Sequence, residues 1–185
     1  MKRNSLAARR VAKFVVVALF LTGCATTSDG EPIVYQEGEL AAALRTETYT
    51  SLRDLAEDSE MVVVATYTGG TVERDPIGFR FVPMMIEEVL SGSARVGEEL
   101  VVRSDIPYPG DDSRSVLVSK RAFMLFLTPL DYGDGRTYDE WSVVGWVAGY
   151  LERREGGVFH VIDPDSNLSS DRFTTGEVIE AVSRS

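Results

Sequence analysis

The sequence predicts a mainly β fold of the β-rich α+β class. We expect a small antiparallel barrel of five or six strands with a short helix at each end. Short apolar runs alternate with Gly, Pro, Asp and Ser clusters, the pattern of strands joined by turns. Their spacing is too tight for repeated crossover helices, which argues against a parallel α/β fold. Helix-capping patterns precede the first run and follow the last one.

The two helices are predicted from these capping patterns. Thr50 or Ser51 with Asp54 opens a short first helix, and Thr174 with Glu177 opens the last one. The apolar face of the last helix is predicted to consist of Val178, Ile179 and Val182.

The strands are predicted at residues 61–67, 79–90, 99–103, 122–127, 143–151 and 158–162. The first of these is a continuous β-branched run and indicates a central strand. Residues 122–127 are almost wholly apolar, so we expect burial on both faces. Pro83 lacks a backbone N–H and implies a bulge or an edge position in the second strand.

The first 24 residues have the order of an export signal. Basic residues precede an apolar run at 14–21. Eight helical residues span roughly 12 Å, well short of a hydrocarbon core of about 30 Å. The run ends in Leu21, Thr22, Gly23 and Cys24. This arrangement resembles the signal peptide of bacterial lipoproteins, with Leu-Thr-Gly-Cys as the lipobox.

The resemblance implies that the Cys24 thiol receives a diacylglycerol and becomes the mature N-terminus. The protein is then expected in the bacterial cell envelope, lipid-anchored on the outer side of a membrane. The predicted organisation is a signal peptide at 1–23, the lipidated cysteine and a flexible tether at 24–45, and a single β-barrel-like domain at 46–185. Cys24 is the only cysteine, so its acylation leaves no thiol for a disulfide or for catalysis.

The mature chain is strongly acidic. Residues 1–23 hold five of the 19 basic residues and none of the 29 acidic ones, so removing them changes the formal net charge from −10 to −15. Nucleic-acid binding requires clustered Lys and Arg. The composition therefore argues against a nucleic-acid partner.

Four stretches support a more specific fold. They are residues 55–66, 87–92, 97–102 and 123–127. Together they resemble the OB-like barrel of the netrin and TIMP type, over about residues 52–130. TIMP proteins inhibit metalloproteases through a free, disulfide-held N-terminal cysteine. Because Cys24 is expected to be acylated and has no second cysteine to pair with, the resemblance implies the OB-like fold and not that mechanism.

One acidic segment has the beginning of a calcium loop. Oxygen ligands stand at alternating positions in Asp163, Asp165 and Asn167, and Asp171 occupies the ninth position. The match ends there, because Leu168 stands where the calcium loop has Gly. A turn rich in Asx residues is the alternative interpretation. Calcium is the only cofactor that the sequence suggests.

Aromatic residues are concentrated near the predicted hairpin. Trp141, Trp146 and Tyr150 are candidates for stacking on a sugar or a peptide, with Tyr132 and Tyr138 close by in sequence. Packing in the barrel core is the alternative interpretation of the same residues.

No catalytic residue is predicted, because the nucleophile, metalloprotease and phosphate-loop motifs are all missing from the sequence. We therefore expect a non-catalytic binding or structural module whose partner is an envelope protein or glycan. The alternatives are an envelope hydrolase that uses Asp and Glu carboxylates, and a calcium-dependent surface module.

The lipobox yields the first test. Mass spectrometry of protein from bacterial membranes should find an N-terminal Cys24 carrying a diacylglycerol, and Cys24→Ala should abolish both the modification and membrane retention. An unmodified Cys24 or an uncleaved leader would contradict the assignment.

Overall fold

Short strands make up most of the regular structure. The computed structural model describes residues 49–75, 78–136, 138–164 and 166–184. Within them, the helices are α1 (Leu52–Glu57) and α2 (Thr175–Ser183). The strands are β1 (Met61–Tyr67), β2 (Glu73–Arg74), β3 (Arg80–Ser91), β4 (Glu99–Ser104), β5 (Pro107–Tyr108), β6 (Asp111–Ser115), β7 (Ala122–Pro129), β8 (Glu140–Val143), β9 (Tyr150–Arg153), β10 (Val158–Val161) and β11 (Arg172–Thr174).

Five of the strands close into a barrel. Hydrogen bonding runs in the order β1–β3–β4–β8–β7, and β7 pairs back onto β1. Four of these pairings are antiparallel, while β4 and β8 run parallel. A five-stranded barrel of this kind is the OB-like architecture. The predicted mainly β fold is confirmed, with one parallel pair where the sequence predicts only antiparallel ones.

The strand β7 is buried on both faces. Residues 123–127 have no solvent exposure. Phe123 and Leu125 point into the barrel, whereas Met124 and Phe126 point into a second core outside it. β1 divides its side chains between the two cores in the same way. Two-sided burial is the reason that both strands are continuous apolar runs.

A second layer covers the outer side of β1 and β7. One edge of β7 pairs with β8 and then with β9, and the sheet continues through β10 to β11. The core beneath this layer receives Leu52 and Leu55 from α1 and Val178 from α2, and Leu151 and Phe159 from β9 and β10. The two cores therefore share β1 and β7.

Both helices begin at the predicted capping boxes. The Asp54 backbone N–H donates to Ser51 Oγ over 3.2 Å, and the Ser51 N–H donates back to Asp54 Oδ2 over 3.1 Å. Thr174 and Glu177 make the same reciprocal pair, over 3.3 and 2.7 Å. Each box satisfies backbone donors that the first helical turn leaves unpaired.

The buried face of α2 is narrower than the sequence predicts. Val178 is fully buried and Val182 is partly buried against the second core, but Ile179 is 47% exposed. Successive helical residues lie about 100° apart around the axis. Ile179 therefore falls beside the buried face, and its assignment to that face is wrong.

The strand predicted at 143–151 is interrupted by a turn at residues 144–149. In this turn Gly145 has a φ of +67°, and a Cβ there would lie 2.7 Å from Cδ2 of Tyr49. Trp146 also has a positive φ, of +54°. β8 and β9 pair antiparallel with the same edge of β7 but in different registers, because Leu127 lies opposite Val143 whereas Leu125 lies opposite Tyr150. The turn takes up the additional residues between the two pairings.

Truncation of β7 tests the shared core. Phe126→Ala should lower the free energy of unfolding by about 3–5 kcal/mol, because it removes a buried ring and leaves a cavity. Val96→Ala, at a residue that is 66% exposed, should change it by less than about 0.5 kcal/mol. Urea denaturation measures both, and similar effects from the two variants would contradict the assigned burial.

Candidate functional site

The outer faces of β3 and β4 form the floor of a groove. Strand side chains alternate between the two faces of a sheet. Val82 and Val102 point into the barrel core, so Phe81, Pro83 and Val101 lie on the outer face, where they line the groove. Pro83 stands directly opposite Val101 in the register of β3 with β4. The floor is therefore apolar.

Pro83 fits into β3 because β1 ends beside it. The Pro83 carbonyl accepts the N–H of Thr68 over 3.1 Å, so the backbone polar groups of Pro83 face the β1 side. The pairing of β3 with β1 ends at Met84 and its pairing with β2 begins at Phe81, so Pro83 lies in the gap between them and its missing N–H interrupts neither ladder. β3 is not an edge strand, because β1 and β2 pair along one side of it and β4 along the other. The Pro83 ring also covers Gly70, where a Cβ would lie 3.1 Å from Cγ of Pro83.

An open groove of about 580 Å³ lies over this floor. The connection from β1 to β3, which includes β2, forms one side, and β8 lies at the other. The residues that line the groove are Thr68, Gly70, Thr71, Glu73, Arg74, Asp75, Phe81, Pro83, Glu99, Val101 and Glu140.

Carboxylates surround the apolar floor. They belong to Glu73, Asp75, Glu99 and Glu140. Glu73 lies opposite Phe81 across the β2–β3 pair, and Glu140 lies opposite Val101 across the parallel β4–β8 pair. Within the residues that the structure describes, no ion pair involves Glu73, Glu99 or Glu140. The groove is therefore electronegative on more than one side.

Two arginines next to the groove are directed towards β6. Arg74 and Arg80 stand opposite each other on β2 and β3. Arg74 donates from Nη2 to the Ser113 carbonyl, and Arg80 donates from Nη2 to the Asp112 carbonyl. Burial lowers the pKa of Arg80, and the charge of Arg74 lowers it further. These contacts occupy guanidinium groups that could otherwise pair with the carboxylates of the groove.

The Arg103 guanidinium packs with aromatic rings in a stack that lies beyond the floor of the groove. The rings are those of Phe79, Tyr132 and Tyr138. The Arg103 guanidinium carbon lies 3.5 Å from the ring centroid of Phe79 and 5.7 Å from that of Tyr132. Tyr132 in turn packs edge-to-face with Tyr138, with 5.0 Å between ring centroids. The Tyr138 hydroxyl donates to Asp134 Oδ2 over 2.6 Å. The stack joins the residues before β3 to the end of β4 and to the β7–β8 loop.

Tyr132 places this stack beside the groove. Burial raises the pKa of the Tyr132 hydroxyl, and the charge of Arg103 opposes the change. The charges of Asp75 and Glu140, which both line the groove, raise the pKa further. Tyr132 is still 41% exposed. Tyr132 is therefore near charges of the groove, although it is not among the residues that line it.

Arg103, which belongs to the stack, also forms a largely buried ion pair with Asp105. Arg103 Nε lies 3.4 Å from Asp105 Oδ1, and neither atom has a hydrogen-bond partner. Burial raises the pKa of the Asp105 carboxyl, and the neighbouring Arg103 opposes this rise. Holding Asp105 ionised in this position therefore costs folding free energy.

The three aromatic candidates have different environments. Tyr150 is 2% exposed in the barrel core, where burial strongly raises the pKa of its hydroxyl. Trp141 is half-buried and packs against the same core. Both residues therefore pack in or against the core, and ligand binding by them stays a prediction. Trp146 is half-buried in the turn after β8 and joins neither of the two cores. None of the three lines the groove.

The candidate calcium segment forms a turn between β10 and β11. The Asp163 carbonyl accepts the Ser166 N–H over 3.2 Å, and Asp163 itself is 5% exposed. Asn167 and Asp171 are exposed, and Asp165 lies outside the described residues. No group of three or more His, Cys, Asp or Glu among the described residues could hold a metal ion. With Asp165 undescribed, calcium binding stays a prediction.

The sequence does not indicate that the residues lining the groove come together at one site. Tyr132 belongs to the aromatic residues near the predicted hairpin, but Glu73 and Glu99 carry no signal of their own in the sequence. Glu99 and Glu140 come together through the parallel β4–β8 pairing, which joins only residues 101–103 to residues 140–142. The alternation of residues 99–103 does indicate that Val101 faces away from Leu100 and Val102.

The described part of the chain contains a closed five-stranded barrel of OB-like architecture. No family model and no curated protein matches its sequence. Neither helix in the described part of the chain is long and apolar enough to cross a membrane. Residues Leu21, Thr22, Gly23 and Cys24 lie outside the described residues, so lipidation also stays a prediction.

Asp105 makes the stability depend on pH. Because its pKa is raised above the ordinary 3.8, the folded state binds this proton more tightly than the unfolded state. The stability of the wild type should therefore fall as the pH rises from 3.8 through the folded pKa. Asp105→Asn lacks this proton, so the variant should gain stability relative to the wild type as the pH increases from about 4 to 7.

Asp134→Asn is the matched control with the opposite sign. The hydrogen bond from Tyr138 lowers the pKa of Asp134, so this variant should lose stability relative to the wild type as the pH rises through that region. Thermal unfolding at several pH values measures both. Parallel profiles for the wild type and Asp105→Asn would contradict the raised pKa.

Proposed function

We propose that this protein is a lipid-anchored, non-catalytic binding module of the bacterial cell envelope. The groove over β3 and β4 would receive its partner, an envelope protein or a glycan. The observation that carries the proposal is an open, apolar-floored groove that has carboxylates around it. Its volume of about 580 Å³ falls within the range of roughly 300–1,000 Å³ that is usual for ligand sites.

The position of the groove supports the proposal. β3 and β4 are the second and third strands of the barrel in chain order. OB-folds bind ligands on the face of these two strands and with the loops after their first and fourth strands. Here the first of those loops supplies Glu73 and Asp75, and the second supplies Tyr132. The fold therefore favours binding at the place where the groove lies.

An envelope hydrolase is the second candidate, because four carboxylates line one groove. A carboxyl that acts as a general acid usually has its pKa raised by burial. Glu73 and Glu99 are exposed, and Asp75 and Glu140 are only half-buried. The fully buried Glu152 lies outside the groove and pairs with Arg121 and Arg154. The geometry therefore supports binding better than hydrolysis.

Blocking the floor tests the proposal. Val101→Arg would fill the apolar floor with a long charged side chain, whereas Ile179→Arg makes a similar change on the exposed side of α2. Lipid-anchored protein should capture a protein from solubilised envelopes or co-sediment with purified cell-wall glycan. We expect Val101→Arg to reduce this retention at least fivefold and Ile179→Arg to leave it unchanged.

Two outcomes would contradict the proposal. One is equal retention by the wild type and by Val101→Arg, which would place any binding outside the groove. The other is no retained protein and no glycan binding by the wild type.

A further inference from the structure

We propose that the groove binds an extended, cationic segment of a partner polypeptide, with Lys or Arg side chains on its carboxylates and small apolar side chains on its floor. The inference rests on the proposed binding function and names the chemistry of the partner.

The charges around the groove are the first reason. In the described part of the chain, Glu73, Glu99 and Glu140 have no ion-pair partner. Arg74 is the cationic residue in the lining, and its guanidinium is bound to the Ser113 carbonyl. A ligand with several positive charges would gain favourable interactions with carboxylates that the protein itself leaves uncompensated.

The spread of the carboxylates is the second reason. Glu73 and Glu140 are separated by the widths of β3 and β4, because the strands run in the order β2, β3, β4 and β8. Neighbouring strands lie about 4.8 Å apart, so the two backbones are separated by roughly 14 Å. That distance is too large for both carboxylates to coordinate one ion. It suits a chain that carries cationic groups at intervals.

The floor is the third reason. Phe81, Pro83 and Val101 give an apolar surface two strands wide. Side chains of an extended peptide alternate between its two faces. Small apolar side chains can therefore contact the floor while long basic ones reach the carboxylates at the sides.

A neutral glycan fits the same surface less well. Sugars stack on open aromatic faces, but the Phe79 ring is covered by the Arg103 guanidinium at 3.5 Å. Tyr132 packs its ring against Tyr138. An uncharged sugar would also leave the charges of the carboxylates uncompensated. The exposed part of Tyr132 can instead contact a basic side chain.

The probe is a fluorescein-labelled peptide of alternating lysine and valine, measured by fluorescence anisotropy with the full mature protein. The control probes are the matching glutamate–valine peptide and an N-acetylglucosamine oligosaccharide. We expect the lysine–valine peptide to bind in 50 mM NaCl and to lose most of its affinity in 500 mM NaCl, because salt screens exposed charges. The glutamate–valine peptide should not bind.

Matched charge variants locate the site. Glu99→Gln with Glu140→Gln should weaken peptide binding about five- to tenfold, in line with two exposed ion pairs. Glu155→Gln with Glu180→Gln removes the same charge from exposed residues outside the groove and should leave the affinity within about twofold. Thermal unfolding of each variant confirms that it is folded.

The outcomes separate this inference from the proposed function. No binding of the lysine–valine peptide overturns the inference, as does an equal loss of affinity in both double variants. Binding of the oligosaccharide alone, with its loss in Val101→Arg, also overturns it but keeps the proposed binding function. The capture experiment with Val101→Arg decides the proposed function independently.

Discussion

The pairing of β1 with β7 is the interaction on which the rest of the structure depends. It closes the barrel, and it places one strand, β7, at the boundary of two apolar cores. Residues 123–127 have no exposure, so the strand contributes alternate side chains to each core without losing any to solvent. At roughly 25 cal/mol per Å² of buried apolar surface, such a strand contributes several kcal/mol on both sides. A barrel without this closure would leave β1 and β7 with open edges, and both helices would have no surface to pack on.

The groove is a consequence of how the barrel closes. β7 must reach β1 on one edge, so its other edge is left for β8 and β9. β8 then bridges β7 to β4 in a parallel pair, and this pair brings Glu140 beside Val101. The loop that makes this crossing carries Tyr132, which packs near Arg103 of β4. An acidic residue and an apolar floor therefore meet because of topology, although they lie far apart in the chain.

The sequence predicted the elements whose signal is local. The run at 122–127 is apolar throughout because both of its faces are buried, and the reciprocal caps at Ser51 and Thr174 require only residues three positions away. The groove could not be predicted in this way. Glu99 and Glu140 come together through a pairing of three residues, and nothing local distinguishes Glu99 from the other acidic residues of the chain. Tyr150 illustrates the same limit, because a ring in a core and a ring at a ligand site have the same sequence pattern.

The distribution of the acidic residues between paired and unpaired positions also bears on the function of the protein. Some carboxylates outside the groove are compensated locally, since Glu152 pairs with Arg121 and Arg154, and Arg153 pairs with Glu87 and Glu88. Near the groove the arginines are used differently, because Arg74 and Arg80 bind backbone carbonyls of β6. A general excess of negative charge keeps a protein soluble and needs no particular placement. Here the uncompensated carboxylates surround an apolar floor. Solubility does not require this arrangement, whereas recognition of a cationic chain does.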